Sequence, residues 1–348
     1  CKWPPHTPST THTQPAKMKP LLLKGHERSI TCITFNREGD LLFSCSKANF
    51  PCVWWSKTGE RLGTYQGHTG AVWSLDVTSD SELVLTGSAD NSAKLWHTQT
   101  GKELFSWEHR TPVRWVDFGY GDRCFLTVTD QVLGLAPTIL VWRLADDPSQ
   151  QSSTHELEII GKSPQHKINQ ARWGPLNQRI YSVGEDASVC VWDPETGKLI
   201  HEIKDHTKSV TSFKFTPDKT MFITASQDHT SRLYDTKTME LIKTYDTGRP
   251  CNTADISPIC DHVLVGGGQS ADMVTTTRLD SSQFKVRCFH KIFEEELGSI
   301  KGHFAPVNCL SYSPDGRMFA SGGEDGYIRL HHLDDSYFKL GANADNHV

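Results

Sequence analysis

The sequence lacks the features that would place it in a membrane or on nucleic acid. No apolar run approaches the roughly eighteen residues that a membrane-spanning helix needs. Basic residues are not in excess, because 36 Lys and Arg stand against 41 Asp and Glu, and the formal net charge is −5. This balance argues against a broadly basic surface. We therefore expect no membrane partner and at most indirect contact with RNA.

The ten cysteines are scattered along the chain and form no CxxC pair. The usual sequence signatures of zinc sites and of thioredoxin-like redox sites are therefore missing. Most of the cysteines lie among apolar residues, as buried free thiols do. We expect reduced thiols and a cytoplasmic location.

Signatures of catalysis and of cofactor binding are also missing. No GxSxG motif supports a nucleophilic serine. The glycine-rich stretch VGGGQSADMVTTT from Val265 fits neither the dinucleotide nor the P-loop pattern, so it favours a strand-to-loop turn. His331 and His332 are adjacent but lack a third ligand at suitable spacing. The sequence predicts no catalytic residue, no cofactor and no metal site.

What the sequence does contain is an internal repeat with a period of about forty residues. Each unit reads as four short strands separated by turn residues such as TPDK and SPDG. This pattern predicts an all-β, seven-bladed WD40 β-propeller. The units begin with GHERSITCITF at Gly25, GHTGAVWSLDV at Gly67, HRTPVRWVDF at His109, HKINQARWGP at His166, DHTKSVTSFKF at Asp205, GRPCNTADIS at Gly248 and GHFAPVNCLSY at Gly302.

A histidine, a hydroxyl, an aspartate and an aromatic residue recur at matching positions in these units. Such groups can form the Ser/His/Asp set of a hydrolase, or they can satisfy one another's hydrogen bonds inside a blade. A catalytic site is needed once, whereas this set recurs in graded copies, so we interpret it as structural. The predicted sets are His68, Thr86, Asp90 and Trp96 in blade 2; His166, Ser182, Asp186 and Trp192 in blade 4; His206, Thr224 and Asp228, with Tyr234, in blade 5; and His303, Ser321 and Asp325, with His331, in blade 7. Blade 1 has Ala48 at the aspartate position, between His26 and Trp54.

The last repeat shows no convincing fourth strand, whereas Leu21–Leu23 precedes the first repeat and reads as a strand. We expect this N-terminal strand to complete the seventh blade and to cover an otherwise open sheet edge. Residues 18–340 are then the propeller, residues 1–17 a disordered leader and residues 341–348 a C-terminal tail.

An acidic run, FEEELG, spans Phe293 to Gly298 in the sixth repeat. It could attract a basic partner, or it could be a solvated strand end. The sequence leaves both explanations open.

Several longer stretches resemble the family of subunit i of eukaryotic translation initiation factor three. They are MKPLLLKGHERSIT, NREGDLLFS, GERLGTYQGHTGAVWSLD, LTGSADNSAKLW, GGGQSADMVTTT, KIFEEELGSIKGHFAPVN and SPDGRMFASGGEDGYIRLHHLDDSYF. The resemblance covers Met18 to about Leu340 and stays in register through all seven units. It departs from the family at the missing aspartate of blade 1 and in the leader before Met18.

The resemblance implies a non-catalytic scaffold subunit that acts during initiation, in pre-initiation complex assembly and scanning. Its implied partners are subunits b and g and, within the complex, the small ribosomal subunit. A helix near the C-terminus of subunit b is expected on the side of blades 5 and 6. The contact residues that the resemblance suggests are Thr211, Ser212, Asp228, Gln269 and Asp272.

Two other functions remain alternatives at the level of sequence. One is a different intracellular WD40 adaptor, such as a ubiquitin-ligase substrate receptor or a receptor-associated signalling scaffold. The other is a hydrolase built on a propeller, which a serine-directed fluorophosphonate probe would label.

Overall fold

The computed structural model describes residues 20–132, 134–268 and 284–338. These residues form 28 strands, two single 3-10 turns (Pro148–Gln150 and Pro175–Asn177) and one short helix, α1 (Asp335–Phe338). The strands are β1 (Leu21–Leu23), β2 (Ile30–Phe35), β3 (Leu41–Ser46), β4 (Cys52–Trp55), β5 (Arg61–Thr64), β6 (Val72–Val77), β7 (Leu83–Ser88), β8 (Ser92–His97), β9 (Glu103–Glu108), β10 (Val113–Phe118), β11 (Cys124–Thr129), β12 (Thr138–Arg143), β13 (Leu157–Ile160) and β14 (Ile168–Trp173). They continue with β15 (Ile180–Gly184), β16 (Val189–Trp192), β17 (Leu199–Ile203), β18 (Val210–Phe215), β19 (Met221–Ser226), β20 (Thr230–Asp235), β21 (Leu241–Asp246), β22 (Cys251–Ile256), β23 (His262–Gly267), β24 (Lys285–His290), β25 (Glu296–Lys301), β26 (Val307–Tyr312), β27 (Met318–Gly323) and β28 (Ile328–His332).

The strands assemble into seven antiparallel sheets of four strands each. Six blades use four consecutive strands, from β2–β5 in blade 1 to β22–β25 in blade 6. In these six blades the first strand is the inner strand, which packs against the inner strands of the neighbouring blades, and the fourth is the outer strand. The all-β, seven-bladed propeller predicted from the repeat is therefore confirmed.

The seventh blade combines the two ends of the described chain. Its strand order is β1-β28-β27-β26, with β1 antiparallel to β28. Leu21 lies opposite Leu330, and Leu23, which is 2% exposed, lies opposite Ile328. The predicted closure of the ring by the N-terminal strand is confirmed.

Neighbouring blades approach closely where the second strand carries a residue without a bulky side chain. A Cβ at Gly87 would lie 2.8 Å from Val113 Cγ1 in the next blade, and one at Gly322 would lie 2.6 Å from Ile30 Cγ2. Likewise, a Cβ at Gly266 would lie 2.9 Å from Val307 Cγ1 in the next blade. Because carbon atoms do not approach this closely, larger residues at these glycines would push the blades apart.

Candidate functional site

Blade 2 contains the complete set of four polar groups predicted from the repeat, and the structure brings all of them together. His68 Nδ1 lies 2.8 Å from Asp90 Oδ2, and His68 Nε2 lies 2.7 Å from Thr86 Oγ1. The indole of Trp96 donates to the same hydroxyl oxygen at 2.8 Å. With the ring proton on Nδ1, each group donates to the next in the order Trp, Thr, His, Asp. We call such a chain a blade link.

The aspartates of the blade links are held in their charged form. Burial opposes the charge of Asp228, but bonds from Thr230 and His206 outweigh it and lower the pKa of this carboxyl to about 2. At Asp90, bonds from His68 and Ser92 likewise outweigh burial and hold the pKa of the carboxyl well below its usual range. These carboxylates also accept backbone N–H groups of the preceding loop, such as Thr207 at 3.1 Å. Each link therefore joins two loops at the same end of its blade: the loop before the first strand, and the turn between the second and third strands.

Blade 5 forms a similar link without the indole. His206 lies 2.8 Å from Asp228 Oδ2 and 2.7 Å from Thr224 Oγ1. Tyr234 takes the aromatic position, and its ring stacks on Phe222 with centroids 5.0 Å apart. The aromatic packing is kept, although the indole N–H that would donate to the hydroxyl is gone.

Blade 7 reverses the direction of the link. Arg329 Nη1 lies 2.6 Å from His303 Nδ1 and 3.0 Å from Asp325 Oδ2. Because a guanidinium can only donate, Nδ1 accepts, and His303 Nε2 then donates to Ser321 Oγ at 2.8 Å. The predicted His331 stacks on Phe319 with centroids 4.4 Å apart. An arginine therefore joins the histidine to the carboxylate in this blade.

The expectation for blade 4 needs one correction, because His166 is exposed and does not join the link. Trp192 still donates to Ser182 Oγ at 2.8 Å. Lys162 takes the place of the histidine, hydrogen-bonded to Glu202 and lying 4.0 Å from Asp186 Oδ2. The sequence carries the reason: His166 and Asp186 are 20 residues apart, whereas complete links have 22.

Asp186, Cys190 and Glu202 also place three potential metal ligands within 4.8 Å of one another. The ammonium group of Lys162 stands among them, 3.4 Å from Ser188 Oγ. Burial opposes its charge, but bonds to Glu202 and Cys190 outweigh it and raise the pKa of Lys162. The positive charge that this cluster needs is therefore supplied by the chain itself.

Blades 1 and 3 form shortened links that the sequence interpretation did not assign in full. In blade 1, His26 Nε2 lies 2.7 Å from Ser44 Oγ, to which Trp54 donates at 2.8 Å. With Ala48 at the aspartate position, His26 Nδ1 has no hydrogen-bond partner among the described residues. Burial, with Arg61 nearby, lowers the pKa of His26 to about 4. Blade 3 repeats the pattern with His109, Thr127 and Trp142.

The geometry of the links does not suit catalysis. Thr86 and Thr224 are fully buried, and Ser182 and Ser321 are 3% and 0% exposed. A substrate could not reach these hydroxyl oxygens, which are already engaged within the blade. Each link instead satisfies buried polar groups that would otherwise cost free energy, about 1–3 kcal/mol for each unpaired group.

A second set of carboxylates joins neighbouring blades and was missed at the level of sequence. Asp76 Oδ2 accepts the N–H of Phe118 in the next blade at 2.7 Å, and Asp117 Oδ2 accepts that of Trp173 at 2.9 Å. Asp255 does the same for the inner strand of blade 7. A sequence signal existed, because all three aspartates stand at the same place near the end of an inner strand. These three carboxyl groups therefore connect blade 2 to blade 3, blade 3 to blade 4 and blade 6 to blade 7.

Of the contact residues suggested by resemblance, the three that the structure describes do not form an exposed surface. Ser212 is 4% exposed, and Asp228 is held inside the blade 5 link with 5% of its side chain exposed. Thr211 is partly buried and donates to the carbonyl of Cys251 at 2.9 Å. Gln269 and Asp272 lie outside the described residues. The interpretation of Ser212 and Asp228 as contact residues is corrected, because their side chains are buried.

Exposed apolar side chains do occur on this side of the ring, where the outer strand β21 of blade 5 meets the turn between β24 and β25 of blade 6. We call this region the blade 5/6 seam. Lys243 on β21 pairs with Glu294 of the turn at 3.1 Å, and Tyr245 donates to the carbonyl of Lys291 at 2.7 Å. The exposed apolar residues of the seam are Leu241 (44%), Ile242 (42%), Ile292 (48%) and Phe293 (45%).

In the part of the chain that the structure describes, no helix is long and apolar enough to cross a membrane. The family model of EIF3I matches residues 18–343. Among curated proteins, the chain is 46% identical over 324 residues to eukaryotic translation initiation factor 3 subunit I of Bombyx mori, covering 92% of this chain and 97% of that protein. Proteins of the same name from Dictyostelium discoideum and Danio rerio are also 46% identical, over 93% and 94% of this chain and 96% and 100% of their own length. With its seven blades and with similarity over nearly its whole length, this chain belongs to the family of eukaryotic translation initiation factor 3 subunit I.

Proposed function

We propose that this chain is a non-catalytic docking subunit of cytoplasmic initiation factor three. In this proposal the C-terminal helix of subunit b binds the blade 5/6 seam, subunit g lies nearby, and the assembly acts on the small ribosomal subunit during initiation. Family membership supports the role in translation initiation. The observation that carries the proposed docking site is the group of four exposed apolar side chains at the blade 5/6 seam.

Apolar exposure at the seam suits an amphipathic helix. Leu241 and Ile242 are adjacent on β21, and Ile292 and Phe293 are adjacent in the facing turn. A helix that lays an apolar stripe along such a surface gains about 1.5–3 kcal/mol for each large side chain that becomes fully buried. The costs of association and of side-chain ordering offset part of this gain.

The exposed charges of the seam are acidic and determine which polar residues a bound helix should carry. Its lysines are engaged with carboxylates, Lys243 with Glu294 and Lys291 with Asp261 at 2.6 Å. Glu240 and Glu295 are exposed beside the apolar residues. A helix with basic residues next to its apolar stripe would match this surface. The acidic run noted in the sequence therefore supports a basic partner.

The test is a binding measurement with a fluorescent peptide of the C-terminal segment of subunit b. We expect the double variant Ile242→Asp, Phe293→Asp to bind at least about tenfold more weakly, since about 1.4 kcal/mol corresponds to a factor of ten. The matched control is Leu62→Asp, at the equivalent position of the outer strand of blade 1 and 52% exposed.

The control should retain the affinity of the unsubstituted chain. Circular dichroism and melting curves establish that each variant is folded. Unchanged affinity in the folded double variant, or an equal loss in the control, would contradict docking at the blade 5/6 seam.

A further inference from the structure

The inner strands of all seven blades, with β26 as that of blade 7, line a cavity of about 400 Å³ on the axis of the ring. The fifth residue of each inner strand belongs to its wall. From blade 1 to blade 7 these residues are Thr34, Asp76, Asp117, Arg172, Lys214, Asp255 and Ser311. Three of them carry carboxyl groups and two are basic, so one carboxyl group at this level is left without a basic group of its own.

Two of the three carboxyl groups form ion pairs with a neighbouring blade. Asp117 Oδ1 lies 3.0 Å from Arg172 Nη1, and Asp255 Oδ2 lies 2.8 Å from Lys214 Nζ. Asp76 differs, because its neighbours at the same level are a hydroxyl in blade 1 and the carboxyl group of Asp117 in blade 3. Among the described residues, Asp76 forms no ion pair.

The other groups that face Asp76 do not supply a free positive charge. On the side of blade 1, burial raises the pKa of Cys32, so this residue is a neutral thiol. Arg172 and Lys219 act on Asp76 from across the cavity. Arg172 is already paired with Asp117, and Lys219 donates to backbone carbonyl groups of blade 4 at 3.1 and 3.4 Å.

The carboxyl group of Asp76 is held against the strand that carries a second carboxyl group. Its Oδ2 accepts the N–H of Phe118 at 2.7 Å, and Phe118 directly follows Asp117. Two carboxyl groups in one site do not both ionise easily, because their charges repel. Burial, with Asp117 beside it, accordingly raises the pKa of Asp76 from its usual 3.8 to about 7. Since Arg172 stabilises the charge of Asp117, the proton belongs on Asp76.

We propose that Asp76 holds a proton in the folded ring and makes the contact between blades 2 and 3 a pH-sensitive joint, which is strengthened as the pH falls below neutrality. The protonated carboxyl group keeps the bond from Phe118 and does not repel Asp117. Loss of the proton leaves two adjacent carboxylates with one guanidinium between them. This joint does not depend on the partner at the blade 5/6 seam.

The direction of the effect follows from where the proton is bound. In the unfolded chain Asp76 loses its proton near its usual pKa of about 3.9, whereas the folded chain keeps it up to about pH 7. Between these values the folded chain binds one more proton than the unfolded chain at this residue. The contribution of Asp76 to stability therefore rises as the pH decreases through this range, and it is lost as the pH rises to neutrality.

The test compares the unsubstituted chain with Asp76→Asn by urea unfolding from about pH 5 to about pH 8. Asparagine keeps a carbonyl oxygen for the N–H of Phe118 but does not titrate. The ratio of the two folding equilibrium constants at each pH cancels the effects of other titrating groups, such as His331. We expect the ratio of unsubstituted chain to variant to fall at least about tenfold between pH 5.5 and pH 7.5, and to level off above that.

Asp255→Asn is the matched control. Asp255 stands at the same strand position in blade 6 and also accepts a backbone N–H of the next blade, but it has an ion pair with Lys214. Its replacement should change the folding equilibrium constant by the same factor at every pH between 5.5 and 7.5.

Infrared spectroscopy observes the proton directly. At pH 6 the folded chain should show the absorption of a protonated carboxyl group, and folded Asp76→Asn should lack it. If Asp76→Asn does not fold, Asp117→Asn replaces it: without the neighbouring charge, the same absorption should disappear at a lower pH. The proposal is overturned by a folded chain without this absorption at pH 6, by its persistence in folded Asp76→Asn, by an unshifted titration in Asp117→Asn, or by a folding ratio that does not vary with pH.

Discussion

Blades 2 and 4 have the same strands but hold their loops together differently. In blade 2 a neutral chain of donors runs from Trp96 through Thr86 and His68 to Asp90. In blade 4 the indole and hydroxyl remain, but an ammonium group, that of Lys162, faces the carboxylates. The comparison shows that the histidine is one of several groups with which a blade can engage the buried carboxylate beside its indole and hydroxyl.

The largest expected effect is the difference between two histidine replacements. His68→Ala removes two hydrogen bonds, leaves Asp90 with only the bonds from Thr69 and Ser92, and opens a cavity beside Trp96, so we expect a loss of about 3 kcal/mol in the free energy of unfolding. His166→Ala removes an exposed ring and should change it by less than about 0.5 kcal/mol. Urea unfolding at neutral pH measures both. Equal losses in the two variants would show that blade 4 also depends on its histidine.

A second prediction uses the inverted link of blade 7 and concerns pH. Burial, with His303 nearby, lowers the pKa of His331 to about 3 from its usual 6.5. Below pH 6.5 the unfolded chain therefore binds a proton at His331 that the folded chain does not bind. For this reason the free energy of unfolding falls as the pH decreases from about 6.5. His331→Phe keeps the stack on Phe319 and removes this titration. In this variant we expect the free energy of unfolding to fall less steeply with decreasing pH than in the unsubstituted chain, by about 1.4 kcal/mol per pH unit.

Urea unfolding between pH 7 and pH 5 measures this change in slope. His166→Ala is the control, since the ring of His166 is exposed and outside the link of its blade. An unchanged slope in folded His331→Phe would mean that His331 does not contribute to the acid sensitivity of the ring.

The smallest expected effect is a gain in blade 1. Ala48 donates to Ser46 Oγ at 3.2 Å, as Asp90 donates to Ser88 Oγ in blade 2, so the two backbones match. Ala48→Asp supplies a carboxylate for the unpartnered Nδ1 of His26, and we expect about 1 kcal/mol of added stability. A rise in melting temperature checks this. No rise would show that the loop of blade 1 cannot present an aspartate as blade 2 does.

The fold followed from the sequence because its signals are repeated. Seven copies of one strand pattern report the same sheet, and the short apolar run at Leu21–Leu23 could belong only to the incomplete last blade. The links in blades 2 and 5 have equal spacing between histidine and aspartate. In blade 4 the spacing of 20 residues between His166 and Asp186, instead of 22, was the sequence signal that His166 would not reach Asp186.

The proposed docking surface could not be obtained from the sequence in the same way. Leu241 and Phe293 come from different blades, and their exposure depends on how β21 meets the turn before β25. The sequence marked the acidic run beside Phe293 but not the apolar residues around it. Repeats report what all blades share, whereas a binding surface consists of what one seam does differently.

The pairing of Leu21 with Leu330 has a consequence for synthesis. A polypeptide leaves the ribosome from its N-terminus, so β1 emerges before every other strand and its partner β28 emerges after all the others. Blades 1 to 6 can fold while translation continues, but the seventh blade has to wait until elongation has passed residue 332. During that interval β1 must stay available without a partner, and a chaperone that shields Leu21–Leu23 would act at this stage.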